Sequence, residues 1–152
     1  MPTITPFLWF DTQAEEAMNL YVSIFPQSRI ISINRAGENV VSVVFELQGQ
    51  KFMALNAGPH FKFNESVSFF IECETQAEVD GYWEKLTADG GEAGRCGWLK
   101  DKFGLSWQVV PKVLGRLMGG GGDPARSKRV MDALFQMNKL DAGRLQAAYD
   151  EK

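Results

Sequence analysis

Hydrophobic and polar positions follow the same pattern twice along the chain. An apolar, strand-like run is followed by the letters TQAE and then by apolar residues at helical spacing. In the first copy the strand-like run covers Ile4 to Phe10, and the helical pattern starts after Thr12. In the second copy the run covers Val67 to Cys73, and the helical pattern starts after Thr75, 63 positions further on. The pattern therefore predicts a duplicated unit.

The two TQAE stretches are typical of helix starts. Thr12 and Thr75 are good N-cap residues, and Glu15 and Glu78 lie three positions after them. This spacing is that of a capping box, in which the Thr oxygen accepts a hydrogen bond from the Glu amide. The Glu side chain then reaches back to the amide of the cap residue. We therefore predict one capped helix in each unit.

Three more strands are predicted after each helix. In the first unit they are Arg29 to Arg35, Val40 to Leu47 and Lys51 to Leu55. In the second unit they are Glu92 to Cys96, Trp98 to Lys100 and Leu105 to Val110. Each unit then has the order β-α-β-β-β and one sheet face without a helix. Two copies are expected to pair, either within one chain or between chains.

The C-terminal part of the sequence has no repeat partner. Pro111 to Met118 predicts a short helix, and the Gly tract 119–122 predicts a flexible joint. Asp123 and Asp141 are predicted N-caps of two further helices, which give the chain a helical tail. The predicted organisation is a single domain over 1–152, with a first module at 1–57, a second module at 66–111 and the tail at 112–152.

Composition and charge are ordinary for a soluble globular protein. Hydrophobic residues make up 45% of the chain and charged residues 23%. The net charge of -3 offers no basic patch for nucleic acid. No apolar run approaches the roughly 20 residues that span a bilayer, and the N-terminus does not resemble a signal peptide. We expect a cytoplasmic protein without nucleic-acid or membrane partners, in which Cys73 and Cys96 are reduced thiols.

Four stretches of the sequence resemble one protein family. They are ITPFLWFD, LNAGPHFKFNESVSFFIECETQAEVDGYWEKL, CGWLKDKFGLSWQVVP and RVMDALFQMNKLDAGRLQAAY. They resemble the PhnB-like group, labelled "3-demethylubiquinone-9 3-methyltransferase domain", of the vicinal oxygen chelate (glyoxalase, bleomycin resistance and dioxygenase) superfamily. The resemblance implies an α+β fold in which tandem βαβββ modules form a curved, barrel-like mixed sheet around a cleft. It also implies a small-molecule ligand and a homodimer.

The residues at the expected metal positions differ from those of the metalloenzymes in that superfamily. Those enzymes place a His or Gln on the first strand and a Glu on the last strand of each half. The corresponding regions here offer Thr5 and Ser68 on the first strands, and Asn56 and Gln108 on the last. Because hydroxyl and amide groups are poor substitutes for imidazole and carboxylate ligands, we expect no metal and no cofactor. The methyltransferase label also lacks support, since the Gly-rich tract 90–94 follows a helix rather than a strand.

Aromatic and amide side chains are the candidates for ligand binding. The aromatic set could line a pocket for a flat apolar molecule, or its members could fill the core. The amides could bind an oxygen-rich ligand, or they could satisfy buried backbone groups. The candidate residues are Trp9, Asn56, Phe61, Phe63, Trp98, Trp107 and Gln108. The run Lys100 to Lys102 is most simply a solvated turn.

Two further residues are candidates for catalysis. His60 could act as a general base or could be an exposed loop histidine. Cys96 could be a nucleophile if a nearby cation lowers its pKa, or it could be a small buried apolar residue. We predict metal-free binding of a small apolar or aromatic molecule in the cleft. The alternatives are an enzyme, either a methyltransferase or a metal-independent isomerase or lyase using His60 or Cys96, and an interaction role for the tail.

Overall fold

A computed structural model describes residues 1–119 and 122–151 of the chain. The chain divides into two compact units, Met1–Lys62 and Phe63–Lys152. Each unit contains one βαβββ copy, and the tail helices belong to the second unit. The Gly joint predicted at 119–122 includes positions 120 and 121, which lie outside the described residues.

The first unit is a four-stranded sheet with one helix. Strand β1 is parallel to β4, and the remaining pairs are antiparallel, in the order β1-β4-β3-β2. Helix α1 packs on one sheet face, where Met18, Tyr21 and Phe45 are almost fully buried. The elements are β1 (Phe7–Phe10), α1 (Ala14–Ile24), β2 (Ser28–Ala36), β3 (Asn39–Leu47) and β4 (Gln50–Asn56).

The second unit repeats this arrangement. Its order is β5-β8-β7-β6, with β5 parallel to β8 and the other pairs antiparallel. Helix α2 covers the face on which Leu99 and Val109 are buried. The elements are β5 (Ser68–Cys73), α2 (Gln76–Thr87), a 3₁₀ turn (Ala88–Gly90), β6 (Glu92–Ala93), β7 (Trp98–Lys100) and β8 (Ser106–Pro111). The predicted α+β fold with tandem βαβββ modules and mixed sheets is confirmed. The described strands form two four-stranded sheets, neither of them closed.

The tail forms three helices around its own apolar cluster. Its elements are α3 (Lys112–Met118), α4 (Pro124–Leu134) and α5 (Ala142–Asp150). Both predicted caps are confirmed, since Asp123 accepts from the Ala125 amide and Asp141 from the Arg144 amide, each at 2.9 Å. The cluster joins the end of β8 to the tail through Val110, Leu117, Val130, Leu134, Met137, Leu140 and Leu145. None of the helices in residues 1–119 and 122–151 is long and apolar enough to cross a membrane.

The second helix starts as the sequence predicts. The Thr75 hydroxyl accepts a hydrogen bond from the Glu78 amide at 3.2 Å. The Glu78 carboxylate reaches back as expected, but it accepts from the amide of Glu74, one residue before the cap, at 2.8 Å. The capping box is therefore present with its return bond shifted by one residue.

The first helix starts differently, and the Thr12 cap prediction is wrong. The residue at the N-cap is Gln13, whose side chain makes no capping hydrogen bond. The Ala14 amide donates instead to the side-chain oxygen of Asn56, at the end of β4, at 2.9 Å. A partner distant in sequence therefore satisfies the helix end that the local motif was expected to satisfy.

Two predicted strands are shorter than expected. The strand predicted from Ile4 begins at Phe7. The strand predicted to reach Cys96 ends at Ala93, because the chain turns between residues 94 and 97. In this turn Cys96 has φ 58° and Gly97 has φ 85°, and a regular strand does not accommodate such left-handed backbone.

Candidate functional site

The register of the second sheet places four polar side chains in one row. Ser68 pairs with Ser106, Ser106 with Lys100, and Lys100 with Glu92. Residues paired across neighbouring strands point to the same sheet face. This face points away from α2, because Leu99 and Trp107, which alternate with the row, are buried on the helix side. We call it the α2-distal face.

The next row on the α2-distal face combines aromatic and amide side chains. Phe70 pairs with Gln108, and Gln108 with Trp98. The Gln108 amide nitrogen donates to the Ser68 hydroxyl at 2.9 Å, which links the two rows. Phe70 is 57% exposed, so this part of the sheet is open to solvent. The predicted candidates Trp98 and Gln108 therefore share one accessible surface.

A pocket of about 160 Å³ lies at the β6–β7 side of the α2-distal face. The residues that line it include Trp98, Lys100 and Ser106, together with Gly94. Glu65 and Glu92 complete its polar lining. The volume is close to that of the roughly 150 Å³ cavity that holds a single benzene ring in another protein.

Ser106 is the most informative residue of this pocket. It is 1% exposed, and its hydroxyl has no hydrogen-bond partner among the described residues. Leaving a buried hydroxyl unsatisfied costs about 1–3 kcal/mol. A ligand oxygen or nitrogen bonded to this hydroxyl would recover that free energy. Sequence reasoning missed Ser106, although strand alternation puts it on the same face as Gln108.

Charged groups flank the pocket. Lys100 forms an ion pair with Glu65, and their side chains are 37% and 60% exposed. The hydrogen bond to Glu65, and then its charge, raise the pKa of Lys100, and the charge of Glu92 adds to this effect. The same hydrogen bond lowers the pKa of Glu65. Lys100 and Glu65 are therefore both charged at neutral pH, and with Glu92 the lining holds two acidic side chains and one basic side chain.

Trp107 lies on the opposite side of the sheet from this pocket. It is 3% exposed, and its ring packs against Phe69 with centroids 5.5 Å apart. Its indole nitrogen donates to the Asp101 carboxylate at 2.9 Å. These contacts agree with the alternative in which the Trp107 ring fills the core instead of lining a pocket. Phe63 is half-buried ahead of β5 and does not line the pocket.

Asp101 corrects the interpretation of residues 100–102 as a solvated turn. It is only 2% exposed. Besides the indole, its carboxylate accepts hydrogen bonds from the amides of Phe103 at 2.9 Å and Leu105 at 3.1 Å. The turn between β7 and β8 is therefore organised around a buried acidic group, which charge patterning alone did not reveal.

Three of the predicted candidates meet in the first unit. The Trp9 ring contacts Phe61 edge-on at 4.9 Å between centroids, and His60 lies 6.4 Å from the same ring. The Trp9 nitrogen donates to the Gly58 carbonyl at 2.9 Å, which fixes the loop that carries both residues. Phe61 is 66% exposed and His60 is also exposed. The cluster offers an accessible aromatic surface, and its role in binding or catalysis stays a prediction.

Asn56 makes hydrogen bonds to backbone at both ends of its amide. Its oxygen accepts from Ala14, and its nitrogen donates to the Val40 carbonyl at 3.1 Å. These bonds agree with the alternative in which the Asn56 amide satisfies backbone groups instead of binding a ligand. Asn56 and Gln108 are also not equivalent by register, since Met53, paired with Phe7, takes the place in the first sheet that Gln108 takes in the second.

The two cysteines have different surroundings. Cys96 is half-buried in the β6–β7 turn, and its thiol lies 3.7 Å from the Leu134 carbonyl. Cys73 is fully buried under α2, and burial, with a smaller contribution from Glu78, raises the pKa of its thiol to about 11. Cys73 is therefore protonated at neutral pH.

The residues do not fit the metal centre of the superfamily's metalloenzymes. Within the part of the chain that the structure describes, no three His, Cys, Asp or Glu residues are grouped so that they could hold a metal ion. At the expected positions, Ser68 and Gln108 bond to each other through a hydroxyl and an amide. Neither group is a usual ligand for zinc or a similar divalent ion.

Comparison with known proteins identifies the family. A family model described as 3-demethylubiquinone-9 3-methyltransferase matches residues 2–110. The chain belongs to this PhnB-like family. The tail helices lie outside the family match, which ends at the last strand of the second unit. No curated protein matches the chain.

Solved structures agree with the family assignment. A putative 3-demethylubiquinone-9 3-methyltransferase, a PhnB protein from Bacillus cereus, is 38% identical with a TM-score of 0.67, over 72% of this chain and 99% of its own. A Pseudomonas aeruginosa protein is 17% identical with a TM-score of 0.60, over 73% and 98%. The fosfomycin resistance protein FosX from Listeria monocytogenes, at 14% identity and a TM-score of 0.53 over 73% and 93%, shares the fold. The PhnB-like chain therefore has the same fold as this fosfomycin resistance protein.

Proposed function

We propose that this PhnB-like protein binds a small, flat, largely apolar or aromatic molecule against Trp98, without a catalytic metal. The observation that carries the proposal is that Ser106, whose buried hydroxyl lacks a hydrogen-bond partner among the described residues, lines a pocket of ring size together with Trp98. Aromatic rings stack favourably on indole surfaces, and one placed hydrogen bond then fixes the orientation of the ligand.

The polar group of the ligand is proposed to be uncharged or cationic. The pocket wall contains one ammonium group, Lys100, and two carboxylates, Glu65 and Glu92. An anionic ligand would meet the carboxylates and would compete with Glu65 for Lys100. A phenol-like hydroxyl or an aromatic amine can bond to Ser106 without this repulsion. A larger ligand could extend along the row formed by Gln108 and Phe70.

Fluorine NMR with 5-fluorotryptophan-labelled protein tests this proposal. The Trp98 resonance is assigned with Trp98→Phe, and phenol, toluene and benzoate are titrated as probes of matched size. We expect phenol to shift this resonance at lower concentration than either toluene or benzoate. Because Ser106→Ala removes one hydrogen bond worth about 1 kcal/mol, we expect it to weaken phenol binding roughly 5-fold and to leave toluene binding unchanged.

Ser42→Ala, which removes a half-buried hydroxyl from β3 of the first unit, is the matched control and should leave phenol binding unchanged. The proposal fails if no probe moves the Trp98 resonance. It also fails if Ser106→Ala and Ser42→Ala have the same effect on phenol binding. Binding of benzoate as tight as that of phenol would overturn the charge preference alone.

The remaining functional expectations stay predictions. Methyl transfer, the reaction in the family's name, requires binding of S-adenosylmethionine, and absence of heat in calorimetry would count against it. A homodimer would give twice the 17.0 kDa chain mass by light scattering. Roles for His60 or Cys96 in catalysis would require a discovered activity that is lost in His60→Ala or Cys96→Ala.

A further inference from the structure

The loop between α4 and α5, residues 135–141, holds the β6–β7 turn by backbone hydrogen bonds. The Cys96 amide donates to the Met137 carbonyl, and the Gly97 amide donates to the Asn138 carbonyl, both at 2.8 Å. These bonds satisfy two consecutive amides of a turn with left-handed backbone. The turn is therefore attached to the tail rather than left as a free hairpin end.

The same loop is held on its other side by Gln76, the first residue of α2. The Gln76 nitrogen donates to the Leu140 carbonyl at 2.9 Å, and its oxygen accepts from the Ala142 amide at 2.8 Å. An ion pair between Lys139 and Asp80 at 2.9 Å adds a second link to α2. One amide side chain thus fixes both sides of Asp141, where the next helix begins.

The β6–β7 turn packs tightly against the α4–α5 loop. A Cβ atom on Gly97 would lie 2.9 Å from the Val109 carbonyl oxygen and 3.0 Å from the Leu140 side chain. Leu140 is itself fully buried in the tail cluster. The position of Leu140 therefore determines where the β6–β7 turn can lie.

This turn forms part of the proposed binding pocket. Gly94 lines the pocket, and its amide donates to the Trp98 carbonyl at 2.8 Å. Trp98 directly follows Gly97, whose carbonyl accepts from the Val109 amide at 2.8 Å. None of the loop residues lines the pocket. The loop can therefore influence the pocket only by positioning the turn.

We propose that the α4–α5 loop, held by Gln76, is a positioning element that sets the affinity of the pocket by fixing Gly94 and Trp98. The loop lies beyond residue 110, where the family match ends. This determinant of ligand affinity would therefore be an addition to the PhnB-like domain. The effect on affinity rests on the proposed function, whereas the effect on the order of the turn does not.

Gln76→Ala in the full chain tests the proposal, and Gln13→Ala is its matched control. Gln13 occupies the equivalent position of the first TQAE stretch, where its side chain makes no capping bond. Hydrogen exchange of the Cys96 and Gly97 amides reports on the turn, and the fluorine resonance of Trp98 during phenol titration reports on the pocket. We expect Gln76→Ala to speed exchange of both amides about 10-fold and to weaken phenol binding about 3-fold or more. Exchange at Val43, in the first unit, should not change.

Gln76→Glu is a second variant, because it keeps the acceptor for Ala142 and loses the donor to Leu140 and to Asp80. It also places a carboxylate beside the Asp80 carboxylate and the Leu140 carbonyl, so we expect it to change both readouts in the same direction as Gln76→Ala. If Gln76→Ala fails to fold, Lys139→Ala, which breaks only an exposed ion pair, replaces it and should change both readouts in the same direction.

The outcomes separate this proposal from the function on which it rests. Faster exchange together with weaker phenol binding supports it. Faster exchange with unchanged phenol affinity, or no change in either readout, overturns it. If the wild type binds no probe while the turn amides still exchange faster in Gln76→Ala, the proposed function fails and the positioning of the turn stands.

Discussion

The two modules use the same TQAE stretch in different ways. In the second module, Thr75 caps α2, and Gln76 bonds across to the tail. In the first module, Gln13 lies at the N-cap without a capping bond, and Asn56 from β4 satisfies the Ala14 amide. The same four residues therefore lie at the start of a helix in both modules, but different side chains stabilise the two helix starts.

The sheet faces that point away from α1 and α2 differ in a similar way. Phe7 and Phe70, 63 positions apart, are 53% and 57% exposed, and both lie on edge strands. The residue paired with Phe7 is Met53, whereas the residue paired with Phe70 is Gln108. The duplicated backbone thus gives two corresponding sheet faces, and equivalent positions on them carry different side chains. Backbone architecture is repeated while surface chemistry is not.

The largest effect is expected from the turns that join the last two strands of each module. Asp101→Ala leaves the Trp107 indole and the amides of Phe103 and Leu105 without their acceptor, which should lower the free energy of unfolding by about 3 kcal/mol. Gln50→Ala, at the exposed start of β4 next to the corresponding turn of the first module, should change it by less than about 0.5 kcal/mol. Urea unfolding measures the free energy of unfolding of both variants. Equal losses of stability would contradict the difference described between the two turns.

The helix caps give a smaller and more direct test of the comparison. Because Thr75 accepts from the Glu78 amide and Thr12 caps nothing, Thr75→Ala should cost about 1 kcal/mol and Thr12→Ala close to zero. Asn56→Ala should destabilise the first module by about 1–2 kcal/mol, because it removes the bond to Ala14. A cost for Thr12→Ala equal to that for Thr75→Ala would contradict the assignment of Asn56 as the cap of α1. Urea unfolding of the three variants measures these differences.

The two cysteines give a comparison that should have no effect on stability near neutral pH and should become visible only at high pH. Cys73 is buried and protonated, so a thiol reagent near neutral pH should modify Cys96 well before Cys73 in the folded protein. Cys73 should ionise at pH about 11 in the folded chain, against about 9 when unfolded, so stability should fall as pH rises through this interval. Cys73→Ala should remove this dependence and Cys96→Ala should retain it. Mass spectrometry of labelled protein, together with unfolding at several pH values, measures both effects.

The sequence was sufficient for most of the fold because the relevant signals are local. Alternating apolar residues predicted the strands, and Thr75, Asp123 and Asp141 predicted helix starts that the structure confirms. The prediction failed at Thr12 because Asn56, more than forty positions away, provides the cap. The residues that flank Ala14 and Asn56 in the sequence do not indicate that these two residues form a hydrogen bond.

The candidate site was less predictable for the same reason. Aromatic character identified Trp98 but could not distinguish it from Trp107, since strand alternation places the two on opposite faces only once the register is fixed. Ser106 and Asp101 have ordinary surface chemistry, and only the folded chain buries them. The residues that sequence analysis missed are therefore those whose significance depends on burial.

The tail cluster has a practical consequence for work on this protein. A recombinant fragment that ends at residue 110, as the family match does, would expose the apolar surface that the tail helices cover and would leave the Cys96 and Gly97 amides without their acceptors. Exposed apolar surface of this kind promotes aggregation. The family match ends at residue 110, but we expect a soluble fragment to need the tail helices as well. Fragments for expression or crystallisation should therefore include the chain through α5.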